Sequence, residues 1–223
     1  MSLKESNSPI EFPLRGRGVG VRLVLNNVGK RYNREWIFRR FNYQFQSGKT
    51  YAITGANGSG KSTFLQVIAG SLTHNEGTIE FKNEQRITNN EQHYLYVSIA
   101  APYLELIEEM TATEMLHFHS SFKQLSLPIT EILQTISLQN AAHKQIRYYS
   151  SGMKQRLKLA QAFFSNTPIL LLDEPTTNLD AEGIALYNSL ISTYTKDRLV
   201  IISSNDKQEY EFCEEEIRMG EYK

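Results

Sequence analysis

The sequence predicts an α/β fold built on a buried parallel sheet, and three observations carry that expectation. Short, wholly apolar strands alternate with helical segments in the second half of the chain, the pattern of a sheet covered on both faces. A glycine-rich loop runs straight from a strand at 49–54 into an amphipathic helix bearing Phe64, Leu65 and Ile68. A further apolar strand at 168–173 ends on two adjacent carboxylates, Asp173 and Glu174.

Composition bounds the rest. At 223 residues the chain suits one large domain or two small ones. Lys and Arg total 24 and Asp and Glu total 24, so the formal charge is zero, which argues against a nucleic-acid partner. The single cysteine, Cys213, excludes an internal disulfide framework and a Cys-rich zinc site, and is simplest in a reducing compartment. No apolar run approaches the ~18–20 residues of a membrane span, and no secretory signal is seen. Any service to a membrane would go through a partner.

In chain order, residues 1–21 carry two prolines and an Arg-Gly-Arg-Gly stretch without a helical or strand period; they read as a flexible leader or a cloning remnant. Strands are expected at 22–28, at 41–45 (Phe41, Tyr43 and Phe45 alternating with Asn42 and Gln44), at 49–54, at 77–82 and at 94–98. The middle is helical: 111–122 and 130–136, broken at 126–128, with Met115, Phe118 and Phe122 at helical spacing and Thr111 and Glu114 forming a capping-box pattern. Strand 168–173, helix 183–194 and strand 198–203 then resume the sheet, leaving a helical insert at about 100–150.

The loop Gly55-Ala56-Asn57-Gly58-Ser59-Gly60-Lys61-Ser62-Thr63 fits G-x-x-x-x-G-K-[ST] in full. The backbone of Gly55, Asn57, Gly58, Ser59 and Gly60 can approach phosphate oxygens closely, and the helix N-terminus adds a positive dipole. Lys61 sets a cation near the β- and γ-phosphates; Ser62 offers a hydroxyl to Mg²⁺, with Thr63 beside it. Asp173 is placed to hold the metal and Glu174 to take a proton from an attacking water. A third segment, YSSGMKQRL at 149–157, opens a helix at Ser150 and Gly152, a second N-terminus ready for an anion; spacing alone does not say whose phosphate it meets.

The order GANGSGKST, YSSGMKQRL, ILLLDEPTTNLD over about residues 22–220 resembles the ATP-binding subunit of ABC transporters. The resemblance implies a P-loop NTPase fold of the ABC ATPase type, with a small antiparallel β subdomain and a helical insert. It implies ATP and Mg²⁺ as cofactors and two subunits, alike or homologous, paired head to tail. Ser150 and Gly152 match the signature serine and second glycine, which reach the ATP of the opposite subunit. Asp180, in Thr177-Asn178-Leu179-Asp180, falls in the loop after the catalytic glutamate, and Tyr32 in the place of the aromatic that stacks on adenine. The expected partner is a membrane-spanning transporter subunit touching the helical insert, with this chain peripheral on the cytoplasmic face.

Two departures stand out. The glutamine expected after strand 94–98 is missing, and in Ser98-Ile99-Ala100-Ala101 only Ser98 has a side-chain oxygen for the metal. The histidine expected after strand 198–203 is Asn205, which can hydrogen-bond a phosphate without carrying charge. Hydrolysis by Lys61, Glu174 and Asn205 is therefore expected to be slow and partner-dependent. A soluble ABC-type ATPase without a membrane partner and an ATP-gated binding module with little hydrolysis stay open as alternatives. Elsewhere His117 and His119 face different ways and make no metal pair. Trp36 and Phe38 read as packing, and Arg31, Arg34, Arg39 and Arg40 as a solvated face.

Overall fold

The computed structural model describes residues 20–83, 86–88 and 93–223. Most of the expected leader lies outside them, but Val21, assigned to that leader, is buried, and its N–H donates to Ser47 Oγ at 3.0 Å. Alternation near the start of the chain becomes a long hairpin. β1 (Arg22–Tyr32) and β2 (Glu35–Gln46) pair antiparallel, with Leu23 opposite Phe45 and Leu25 opposite Tyr43. β4 (Glu76–Asn83) joins the other edge of β1, and β5 (Arg86–Thr88) lies beyond it, giving the order β2-β1-β4-β5. This is the small antiparallel subdomain.

The second sheet has the order β6-β7-β8-β3-β9, and every pairing in it is parallel. Its strands are β3 (Thr50–Thr54), β6 (Val97–Ala100), β7 (Ile169–Asp173), β8 (Leu199–Ser203) and β9 (Glu215–Arg218). Side chains alternate between two cores. Ile169, Leu171, Leu199 and Ile201 face α1 (Lys61–Ile68) and the antiparallel sheet, where Phe38, Phe41, Phe45 and Phe64 are all buried. Leu170, Leu172, Val200 and Ile202 face α5 (Ser151–Phe164), α6 (Ala181–Tyr194) and the helical insert.

Three strands escape the sequence reading, the short β5 among them. β9 alternates Glu215, Glu216 and Ile217 because it is an edge strand with one face to water; Glu215 there pairs with Lys49 at 3.1 Å. The strand expected at 94–98 is displaced: 93–96 forms a short helix, α2 (His93–Tyr96), that lays the Tyr96 ring on Phe81 at 5.7 Å, and β6 begins only at Val97. Four or five apolar residues do not separate helix from strand by periodicity.

The two helices expected in the middle of the chain are present. α3 (Ala112–Ser120) carries the capping box, with Glu114 N–H donating to Thr111 Oγ1 at 3.2 Å and Thr111 N–H to Glu114 Oε2 at 2.8 Å. α4 (Ile129–Thr135) follows, then two single 3₁₀ turns and α5. A short helix, α7 (Lys207–Tyr210), precedes β9.

A cationic cluster ties the insert to the N-terminal ends of the parallel strands. The buried Arg198 guanidinium donates to Phe163 O at 2.9 Å, Thr167 Oγ1 at 2.9 Å and Ser98 Oγ at 2.7 Å. Lys123 donates to Val97 O, and His119 Nε2 lies 2.8 Å from Ser165 Oγ. Burial, with the Lys123 charge nearby, pushes the His119 imidazole down to about 4. Unfolded, His119 takes its proton near 6.5; folded, it resists until about 4. Stability should therefore fall as pH drops through that window. His119→Gln, which can keep a bond to Ser165, is expected to flatten this loss in urea midpoints measured between pH 6.5 and 4.

Candidate active site

Parallel pairing levels the strand ends. In register, Asp173 of β7 stands opposite Ser203 of β8, and Ser203 opposite Ile53 of β3. The segments leaving β7, β8 and β3 therefore meet at one edge, the C-terminal edge where open α/β sheets bind ligands. Backbone bonds lock them together: Glu174 N–H donates to Ser203 O at 2.8 Å, and Ser204 N–H to Ile53 O at 3.2 Å. Asn205 Nδ2 donates to Asn57 Oδ1 at 3.0 Å, so the predicted γ-phosphate residue touches the phosphate loop itself.

That loop needs glycine for two physical reasons. Gly55, Gly58 and Gly60 have φ of 141°, 77° and 100°, where a Cβ is strained. At Gly60 a Cβ would also lie 2.5 Å from Ile37 Cγ2. α1 starts at Lys61 with no side-chain cap, leaving the N–H groups of its first turn, including Ser62 and Thr63, suited to an anion. Lys61 is buried and curls back so that Nζ donates to Gly55 O at 2.7 Å. Ser59 Oγ is buried without a hydrogen-bond partner among the described residues.

Asp173 is 1% exposed, and its Oδ1 likewise has no partner among the described residues. A buried carboxylate oxygen with no donor is costly unless a cation completes it. A buried, unpartnered carboxylate oxygen of this kind fits a hard cation such as Mg²⁺. Glu174 follows in a left-handed conformation, φ 42°, which costs a non-glycine residue about 1–3 kcal/mol. The signature segment begins a helix as expected: Ser150 caps α5, its Oγ accepting from Met153 N–H at 3.2 Å. Gly152 lets α5 press on the loop after Glu174, since a Cβ there would lie 3.1 Å from Asn178 O. Asp180 caps α6, accepting from Gly183 N–H at 2.9 Å and Arg156 Nη2 at 3.2 Å; the Gly183 bond first, then Arg156, hold its carboxyl below the usual range.

Tyr32 stands at the end of β1, 47% exposed, with the Lys30 ammonium 5.1 Å from its ring centroid. Lys30 in turn donates to Thr73 O at 2.7 Å.

Ser98 does not join the site. It is the second residue of β6, opposite Leu170 and three residues short of Asp173, and its hydroxyl donates to Ala162 O at 2.7 Å within the Arg198 cluster. The late start of β6 moves the strand end to Ala100, so Ser98 holds the far end of the sheet rather than a metal. What the sequence reading missed is Tyr103. Partial burial first, then the Asp173 charge, pushes its phenol up to about 12. No motif marks this tyrosine; only the turn after β6 brings it there. Arg39 stays on the expected solvated face, where it stacks on Trp36 at 4.3 Å and grips Glu76 at 2.9 and 2.8 Å.

A buried parallel sheet with a phosphate loop, an acidic strand end and a second helix N-terminus at one edge defines a nucleotide-hydrolysing α/β domain. The ABC transporter family model matches residues 38–177, and the chain belongs to that family. It is 30% identical over 186 residues to an uncharacterised ABC transporter ATP-binding protein of Bacillus subtilis, YybJ, covering 82% of this chain and 85% of that one. It is 33% identical over 188 residues to a second from the same organism, YxlF, of which it spans 62%. Its fold matches a putative ABC transporter ATP-binding protein from Pyrococcus furiosus with a TM-score of 0.76 at 20% identity, over 90% of this chain and 98% of that one. The chain is thus an ATP-binding, ATP-hydrolysing subunit of the ABC transporter type.

Gly60→Ala adds a methyl against Ile37 at a left-handed position. It should weaken ATP binding by about tenfold or more, read by titration with a fluorescent ATP analogue.

Proposed function

We propose that two such subunits close head to tail on ATP and drive a membrane-spanning partner. The observation that supports this reading is the level row Asp173–Ser203–Ile53, which brings the loop at 55–63, Asp173, Glu174 and Asn205 to one edge. Tyr32 stacks on adenine. Gly55, Asn57, Gly58, Ser59, Gly60, Lys61, Ser62 and Thr63 wrap the phosphates. Ser62 and Asp173 would hold Mg²⁺, which would supply positive charge against the phosphates. Glu174 accepts the proton of the attacking water, and Asn205 hydrogen-bonds the γ-phosphate. Ser150 and Gly152 present the start of α5, and Asp180 the following loop, to the ATP of the opposite subunit.

Turnover is slow and depends on the partner, because Asn205 brings no positive charge to the transferred phosphoryl group. No helix among the described residues is long and apolar enough to cross a membrane; in this reading the membrane-spanning partner carries the transported substrate. The helical insert is the docking face. Phe118 and Phe122 meet edge to face at 5.1 Å while 43% and 66% exposed, and Tyr148 and Ile107 are exposed as well. Apolar side chains left in water on one subdomain support a partner seated there. The chain then sits peripherally on the cytoplasmic face of the membrane.

Glu174→Gln keeps the size of the side chain and removes its basicity. Single-turnover cleavage should fall by about 100-fold or more while ATP binding persists. Size-exclusion chromatography should then find an ATP-bound dimer. Wild-type cleavage rates in Glu174→Gln would remove the base from this mechanism.

A further inference from the structure

Glu174 sits in a strained left-handed turn, and such a conformation persists only where its surroundings over-determine it. One side is already accounted for by the backbone bond to Ser203 O. The residues just after it are held by two buried side chains that have been given no role above, one of them within the signature segment. Gln155, on α5, is 3% exposed, and its Nε2 donates to Pro175 O at 2.7 Å. Glu209, on α7, is 3% exposed, and its Oε1 accepts from Thr176 N–H at 2.7 Å and from the Thr176 hydroxyl. Glu209 is itself pinned, since Tyr187 of α6 donates its hydroxyl to Glu209 O at 2.7 Å. Its Oε2 is buried and has no hydrogen-bond partner among the described residues. A carboxylate is an expensive acceptor to bury for two bonds, unless what it holds matters.

We propose that Glu209, with Gln155 opposite it, is a positioning residue for hydrolysis: the two clamp Pro175 and Thr176 and so aim the Glu174 carboxylate at the attacking water. The clamp has a specific anatomy. Gln155 belongs to the helix whose first turn carries Ser150 and Gly152, and Glu209 lies on the helix that follows Asn205. The base is thus braced between the element offered to the opposite nucleotide and the element that reads its own γ-phosphate. Neither clamp residue needs to touch ATP. Losing one should loosen the chemistry and spare binding, because misplacing a reacting group by about 1 Å costs about 100-fold in rate. The inference rests on Glu174 being the base.

The test is single-turnover MgATP cleavage with enzyme in excess, for wild type, Glu174→Gln, Glu209→Ala, Glu209→Gln and Thr176→Val. Fluorescent-ATP binding and thermal unfolding are measured on the same preparations. Glu209→Ala is expected to slow cleavage by about 100-fold at unchanged ATP affinity. Glu209→Gln retains the Oε1 acceptor and should restore most of the rate. Thr176→Val, which keeps the backbone donor, should fall between them. Should Glu209→Ala fail to fold, Thr176→Val and Glu209→Gln decide alone. Wild-type cleavage by Glu209→Ala, or by a folded Thr176→Val, overturns the proposal; so does a parallel loss of affinity and rate, or a Glu209→Gln as slow as the alanine variant. If Glu174→Gln is inert while Glu209→Ala is fully active, only the clamp is wrong. If Glu174→Gln cleaves like wild type, the base assignment and the clamp fall together.

Discussion

Parallel pairing of β7, β8 and β3 is the constraint on which the rest of the molecule depends. Parallel strands all leave a sheet at the same edge, so whatever follows each one is brought together without any contact among the loops themselves. Here the register sets Asp173, Ser203 and Ile53 level, and three segments separated by up to 150 residues of chain become neighbours. The pairing in turn requires both faces of the sheet to be covered. Alternate residues of β7 and β8 go to the aromatic core under the antiparallel hairpin and to the aliphatic core under α5 and α6. The site therefore rests on two separate cores, and damage to either should reach it.

Left-handed backbone recurs at that same edge, at Gly55, Gly58 and Gly60 in the phosphate loop, and at Glu174 and Asn178 just beyond β7. The glycines adopt it at little steric cost, whereas Glu174 and Asn178 do not have that freedom. What compensates them is a dense set of bonds from neighbouring elements: Ser203 O to Glu174 N–H, Leu179 N–H to Thr176 O, and the Asp180 cap with Arg156. A catalytic carboxylate on a flexible loop would sample many orientations; here the backbone beneath it has few alternatives.

The opposite end of the sheet does different work. Arg198, Lys123 and His119 meet where β6, β7 and β8 begin: Arg198 donates to a carbonyl of α5 and Lys123 to one of β6, while His119 bonds the Ser165 hydroxyl. This joint fixes the helical insert to the sheet far from the phosphates. It also explains the fate of Ser98. The hydroxyl looked free in the sequence because only residue type was visible, but the strand starts three residues later than its apolar pattern implied, and the serine is drawn into the joint. The turn after β6 then brings Tyr103 within the influence of the Asp173 charge.

By itself the sequence determined the sheet type, the order of elements and the identity of the phosphate loop, the acidic strand end and the signature helix. These are carried by local chemistry: apolar runs for buried strands, glycine for left-handed backbone, serine for a helix cap, and all of it is written in contiguous residues. Only the tertiary structure decided the register that levels Asp173 with Ser203 and Ile53, the place of Ser98 and Tyr103, the edge strand β9, and the clamp of Gln155 and Glu209 around Thr176. Each of these joins residues far apart in the chain. A glutamine or glutamate on a helix has the same composition and periodicity whether it faces water or grips a strained loop, and only packing distinguishes the two.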